Sequence, residues 1–201
     1  RLQAGEPIPF DIVTSARDRI AEVFFTISTA LNGEADPVYT LLHLRIAGYL
    51  RPDHADALLM TADVLEELGQ HDLAAETYAA FPPEDPTYVT AEVGRASALR
   101  AQGKSDAAIE ALQTLARSHG DLLGVQFALA DLLRSQDRFD EAEVAYSAAI
   151  ELAKAAKSEN WVLYFYRGIC HEQSKDWAPA EADFRKALEL NPTQPQVLNY
   201  L

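Results

Sequence analysis

The sequence predicts an all-α protein, an α-solenoid of stacked helix–turn–helix units, on three observations. A 34-residue period runs through the chain, two columns of small residues recur at fixed places within it, and helix breakers fall between those columns. The period is announced by Leu50-Arg51-Pro52-Asp53, Glu84-Asp85-Pro86-Thr87 and Leu190-Asn191-Pro192-Thr193, each closing one helical run before another. Aligning the three prolines makes the units begin at Ala21, Ala55, Val89, Leu123, Trp161 and Pro195. The spacings are 34, 34, 34, 38 and 34 residues.

Residues 1–20 form a lead-in and the start of the first helix, with Pro7 and Pro9 keeping residues 1–13 extended. Five units follow at 21–54, 55–88, 89–122, 123–160 and 161–194, and 195–201 opens a sixth. Eighth positions are Ser28, Ala62, Ala96, Ala130 and Gly168, and twentieth positions are Thr40, Ala74, Ala108, Ala142 and Ala180. Antiparallel helices packed closely need small side chains where their backbones approach, so these columns mark the helix pair within each unit. Asn32-Gly33, Leu68-Gly69-Gln70, Gln102-Gly103-Lys104 and Ser135-Gln136-Asp137 end the first helices. In the second unit Pro82 and Pro83 stop the second helix near Ala80. In the fourth, Glu141–Lys157 carries no breaker, so its second helix projects about one turn further.

This pattern resembles the tetratricopeptide repeat (TPR) family, with the fullest match at Tyr164, Gly168, Ala180, Phe184, Ala187 and Pro192. The resemblance covers about residues 21 to 201 and implies a right-handed solenoid whose first helices line a concave, partner-binding groove. It departs at Thr40, at Phe81 before Pro82-Pro83, and at Gly120 and Lys154 in place of the signature proline. Carried over residue by residue, the candidate groove comprises Phe25, Thr29, Asp56, Leu59, Asp63, Glu66, Glu67, Val93, Ser97, Arg100, Phe127, Asp131, Arg134, Phe165 and Ile169. Fifth positions Phe25, Leu59, Val93, Phe127 and Phe165 form an apolar stripe, open to a partner or covered by the neighbouring helix. The carboxylate-clamp subclass is not matched, since its positions hold Phe25, Thr29, Met60, Thr90 and Gly94.

Charge and motif content narrow the function. The 201 residues carry 17 Lys+Arg against 31 Asp+Glu, a formal net charge of −14, the wrong sign for neutralising phosphates. Nucleic acid is excluded as a partner, and no apolar run is long enough to span a bilayer. No phosphate loop, His-Glu-x-x-His pair or nucleophile elbow occurs. The five histidines, His43, His54, His71, His119 and His171, have no ligand spacing and read as structural or solvated. Asp63, Glu66 and Glu67 share one helix without a loop to wrap an ion. Cys170 shares a column with Ala30, Val64, Ala98 and Leu132 and reads as a small buried hydrophobe. Trp177, in the column of Phe139, reads as packing.

The expected function is non-catalytic, with no cofactor or metal: a scaffold or adaptor that holds a protein or peptide segment of apolar and basic character. The alternative is a spacer or oligomerising segment of a larger protein, with fragments associating through a cut sixth repeat at Leu198 and Leu201. The resemblance to bacterial members points to the cell envelope or periplasm, with the cytoplasm as the alternative.

Overall fold

A computed structural model describes residues 15–200, among which regular structure is entirely helical. The extended lead-in expected over residues 1–13, and Leu201, lie outside the described residues. The chain divides into two compact units, the first ending at Thr87 and the second beginning at Tyr88.

The first unit contains α1 (Ala16–Leu31), α2 (Pro37–Leu50), α3 (Ala55–Glu67) and α4 (His71–Tyr78). Ser15 opens α1 with a capping box: its hydroxyl accepts from the Asp18 amide while the Asp18 carboxylate accepts from the Ser15 amide. Asp36 caps α2 with Pro37 at the first helical position, where a missing amide donor costs nothing. His54 is buried and its ring caps α3. The Pro82-Pro83 pair has the expected effect, since α4 ends at Tyr78, eight residues long.

The second unit contains α5 (Tyr88–Ala101), α6 (Ser105–His119), α7 (Leu123–Ser135), α8 (Phe139–Ala155), α9 (Trp161–Gln173), α10 (Trp177–Leu190) and α11 (Pro195–Leu198). The unbroken run in the fourth repeat makes α8 the longest of these at 17 residues. One core cluster runs through the unit, with Tyr146, Ile150, Cys170 and Phe184 among its buried members.

Within each unit the first helix of every repeat packs on its own second helix, and α2, α6, α8 and α10 pack on the first helix that follows. All ten small-column residues are buried. The turn inside the second to fifth repeats is also periodic: Gly69, Gly103, Asp137 and Lys175 occupy one column and all have positive φ. There the following amide reaches back to the fifth preceding carbonyl, as Gln70 does to Leu65, Lys104 to Leu99, Arg138 to Leu133 and Asp176 to His171. This is the Schellman closure of a helix, which favours glycine because it needs left-handed backbone.

Trp177 corrects an expectation. It is 63% exposed, whereas Phe139 in the same column packs against the core cluster. Among the described residues the 13-residue α9 follows α8, whereas the four-residue α11 follows α10 and does not cover its beginning.

Candidate functional site

In the first unit α1 and α3 border a cleft of about 380 Å³. Phe25 and Thr29 come from α1, and Asp56, Leu59, Asp63 and Glu67 from α3, so six expected groove residues meet here. Asn32, Met60 and Val64 complete the lining. Met60 and Val64 were not expected, because they follow the first helix's core-facing stripe. Phe25 is half-buried, its ring centroid 4.7 Å from that of His54. The Thr29 hydroxyl turns inward and donates to the Phe25 carbonyl at 3.0 Å.

The acidic rim has one internal donor. The buried Tyr78 hydroxyl lies 2.6 Å from Asp63 Oδ1 and 3.1 Å from Glu66 Oε2. A phenol has a single proton, so it satisfies one of these carboxylates at a time. Burial first, and the Asp63 carboxylate second, push the Tyr78 pKa far above the ordinary tyrosine value, so the group stays a protonated donor. Among the described residues Asp56, Asp63, Glu66 and Glu67 form no ion pair. Glu22, one turn before Phe25 on α1, is instead bound by Arg51 at 2.7 Å.

In the second unit a smaller cleft of about 110 Å³ lies between α5 and α7, lined by Val93, Ser97, Arg100 and Asp131 above a floor that includes Leu112. Its charge is settled internally. Arg134 Nη2 donates to Asp131 Oδ1 at 2.6 Å and Arg134 Nε to the Tyr146 hydroxyl at 3.2 Å, while its guanidinium carbon sits 4.3 Å from the Tyr166 ring centroid. Burial opposes the charge on Arg134, but the Asp131 and Tyr146 oxygens outweigh it and its pKa rises. Arg100 adds a longer pairing to Asp131 at 3.7 Å.

The remaining candidates lie closer to the core. Phe127 is half-buried, edge-on to Tyr146, and Ile169 packs against the core cluster. Phe165, expected on the open stripe, is 8% exposed. Its ring is surrounded by Trp161, Tyr166, Phe184 and Tyr200 at centroid distances of 5.4–6.2 Å. Four aromatic neighbours, three from its own repeat and Tyr200 from the turn after α11, close over a position that stays half-open in the other repeats.

Other chemistry is sparse. Cys170 is fully buried and its thiol is pushed up to about 12 by burial, so it stays protonated and inert at neutral pH. No group of three or more His, Cys, Asp or Glu among the described residues is arranged to hold a metal ion. No described helix is long and apolar enough to cross a membrane.

Known proteins share both the sequence pattern and the fold. A tetratricopeptide repeat profile matches residues 161–194, and a second tetratricopeptide repeat profile matches residues 40–89 and 93–156. Tetratricopeptide repeat protein 13 of Homo sapiens is 31% identical over 153 residues, covering 74% of this chain. The match spans 17% of that relative's own length. Among solved structures, MamA (41-end) from Desulfovibrio magneticus RS-1 has a TM-score of 0.72 at 16% identity, covering 90% of this chain and 98% of its own. YrrB, a TPR protein with an unusual peptide-binding site, has a TM-score of 0.67 at 14% identity, covering 92% and 97%. At such identities the likeness is one of fold. On the profile matches across most of its length, the chain belongs to the tetratricopeptide repeat family.

Proposed function

We propose that this member of a family of protein–protein interaction modules is a non-catalytic scaffold or adaptor that holds a partner's apolar, basic segment against the first helices of its repeats. The observation that carries the reading is the α1–α3 cleft: an apolar lining of Phe25, Leu59, Met60 and Val64 beneath carboxylates that no described cation neutralises. An apolar side chain entering there leaves water for an apolar contact, and a neighbouring Lys or Arg meets Asp56, Asp63 and Glu67, none of which is ion-paired among the described residues. The α5–α7 cleft offers a smaller, internally neutralised site and favours an uncharged side chain. The fold shared with YrrB, a peptide-binding TPR protein, supports the reading by analogy only.

The test is fluorescence anisotropy with a labelled Leu/Lys amphipathic peptide and its Leu/Glu counterpart. The Lys peptide binds and the Glu peptide does not. Leu59→Asp removes binding while helicity is unchanged, and Asp63→Asn/Glu67→Gln weakens it and flattens its salt dependence. Equal binding of the two peptides, or normal binding by Leu59→Asp, would refute the reading. Leu59 is the better probe because Phe165→Asp would bury a charge in the core.

A further inference from the structure

The exposed face of α2 differs in chemistry from that of the other second helices. Val38, Leu42, Arg45 and Tyr49 follow at i, i+4, i+7 and i+11, so they lie along one face of the helix as a ridge. Val38 is 57% exposed, Leu42 54% and Tyr49 76%, and Tyr39 beside them is exposed too. The columns of Val38, Leu42 and Tyr49 hold Asp106, Glu110 and Arg117 in α6 and Asp140, Val144 and Glu151 in α8, all of them exposed. Helix α8 has a complete helix pair before it and another after it in its own unit. These columns therefore stay open even where both neighbours are in place, and α2 stands apart by its apolar content rather than by its exposure.

Its charge is also distinct. Among the described helices longer than one turn, α2 alone contains no Asp or Glu. Its one cationic residue, Arg45, is exposed and forms no ion pair among the described residues. Asp36, just before the ridge, is engaged as the helix cap and accepts from the Val38 amide at 2.9 Å. At the other end Arg17 lies 5.6 Å from the Tyr49 ring centroid and donates to the Tyr49 carbonyl at 2.8 Å, adding a second cation. A chain of net charge −14 thus displays one ridge that is apolar and basic. The α1–α3 cleft has the complementary character, an apolar lining with Asp56, Asp63 and Glu67, none of which is ion-paired among the described residues. Because α2 buries Thr40, Leu44 and Ala47 and packs on both α1 and α3, its ridge turns away from the cleft of its own copy.

We propose that the α2 ridge of one copy docks in the α1–α3 cleft of a second copy, Leu42 and Tyr49 meeting the apolar lining and Arg45 the carboxylates. The proposal rests on the cleft reading above and names a partner for that site, another copy of this chain. Ridge and cleft are different surfaces, so the contact is heterologous and continues beyond a dimer.

Sedimentation over a wide concentration range tests this. The chain itself shows a mean mass rising through dimer to larger species, and Arg45→Glu associates several-fold more weakly. The ridge variant Leu42→Asp/Tyr49→Asp and the cleft variant Leu59→Asp are each monomeric, and their equimolar mixture forms a dimer that grows no further. Circular dichroism checks that each is folded, with Leu59→Ser replacing a cleft variant that is not. Association that survives in either variant, an Arg45→Glu chain that associates as tightly as the parent, or two variants that fail to combine would each overturn the proposal. A chain that is monomeric at every concentration yet binds the Leu/Lys peptide overturns this proposal alone and leaves the ridge to a different partner; a monomeric chain that also fails to bind the peptide overturns the cleft reading with it.

Discussion

Gly168 is where the small-residue column meets its tightest neighbour. A Cβ added there would stand 2.7 Å from Phe184 Cε1 and 2.9 Å from Cδ1. Carbon atoms pack best at about 3.5–4.0 Å, so the ring would have to retreat by roughly 1 Å. It has little room: Phe184 is 2% exposed and stacks on Tyr200 at 4.9 Å, with Phe165 on another side. Overpacking of this kind costs about 1–3 kcal/mol, whereas replacing glycine by alanine inside a helix returns about 1 kcal/mol. Gly168→Ala is therefore expected to destabilise by about 1 kcal/mol, or ~2–4 °C in a thermal scan of a chain this size. Urea unfolding followed by far-UV circular dichroism measures it. Shrinking the ring should reverse the sign, so Gly168→Ala becomes stabilising in a Phe184→Leu background. A gain of the full ~1 kcal/mol in the parent chain would show that the ring moves freely and refute the packing argument.

Three further outcomes are expected. Asp183→Ala removes both acceptors of the Arg167 fork, at 2.7 and 2.8 Å, and should cost about 3 kcal/mol in urea unfolding; Arg167→Met/Asp183→Leu should recover most of it. Lys175→Gly, at φ 63°, should stabilise by about 1 kcal/mol because glycine enters left-handed backbone without a Cβ clash; an unchanged midpoint would contradict this. The Cys170 thiol, at about 12 when folded and about 8.5 in an unfolded chain, adds nothing to pH dependence in acid or neutral solution. As pH rises from about 8.5 towards 12 the unfolded chain loses a proton that the folded chain keeps, so stability falls. Cys170→Ala should lessen that alkaline slope, read as urea midpoints across the range, without abolishing it, since Tyr78 and Tyr146 are also pushed up.

What repeats was legible in the sequence, and what is local was not. The small columns were readable because close helix approach imposes one demand five times, and all ten residues are buried. Helices α3, α7, α9 and α11 begin at Ala55, Leu123, Trp161 and Pro195, where the proline register placed the units. The turn column was half-visible: Gly69 and Gly103 advertise positive φ, but Asp137 and Lys175 adopt it under the demand of the closing hydrogen bonds. A column average could not show that Phe165 is enclosed by aromatic neighbours supplied by its own repeat and the next. Nor could it pair Tyr78 with Asp63 and Glu66, since that bond joins different columns of two helices.

The placement of charge, rather than its total, separates the two clefts. A formal −14 spread evenly would attract every cation weakly and select none. Asp131 in the second unit already has Arg134 at 2.6 Å, so an incoming ammonium would have to displace a guanidinium anchored on Tyr146 and Tyr166. In the first unit Asp63 and Glu66 share one phenolic proton, and among the described residues Asp56 and Glu67 form no ion pair, so a partner's cation there has no described guanidinium to displace. An exposed ion pair is worth about 0–1 kcal/mol and is screened by salt. On the proposed reading, salt should therefore weaken Lys-peptide binding at the α1–α3 cleft while leaving an uncharged peptide's affinity for the α5–α7 cleft nearly constant. Salt-insensitive binding at the first cleft would mean that the carboxylates serve solubility and the apolar lining alone selects the partner.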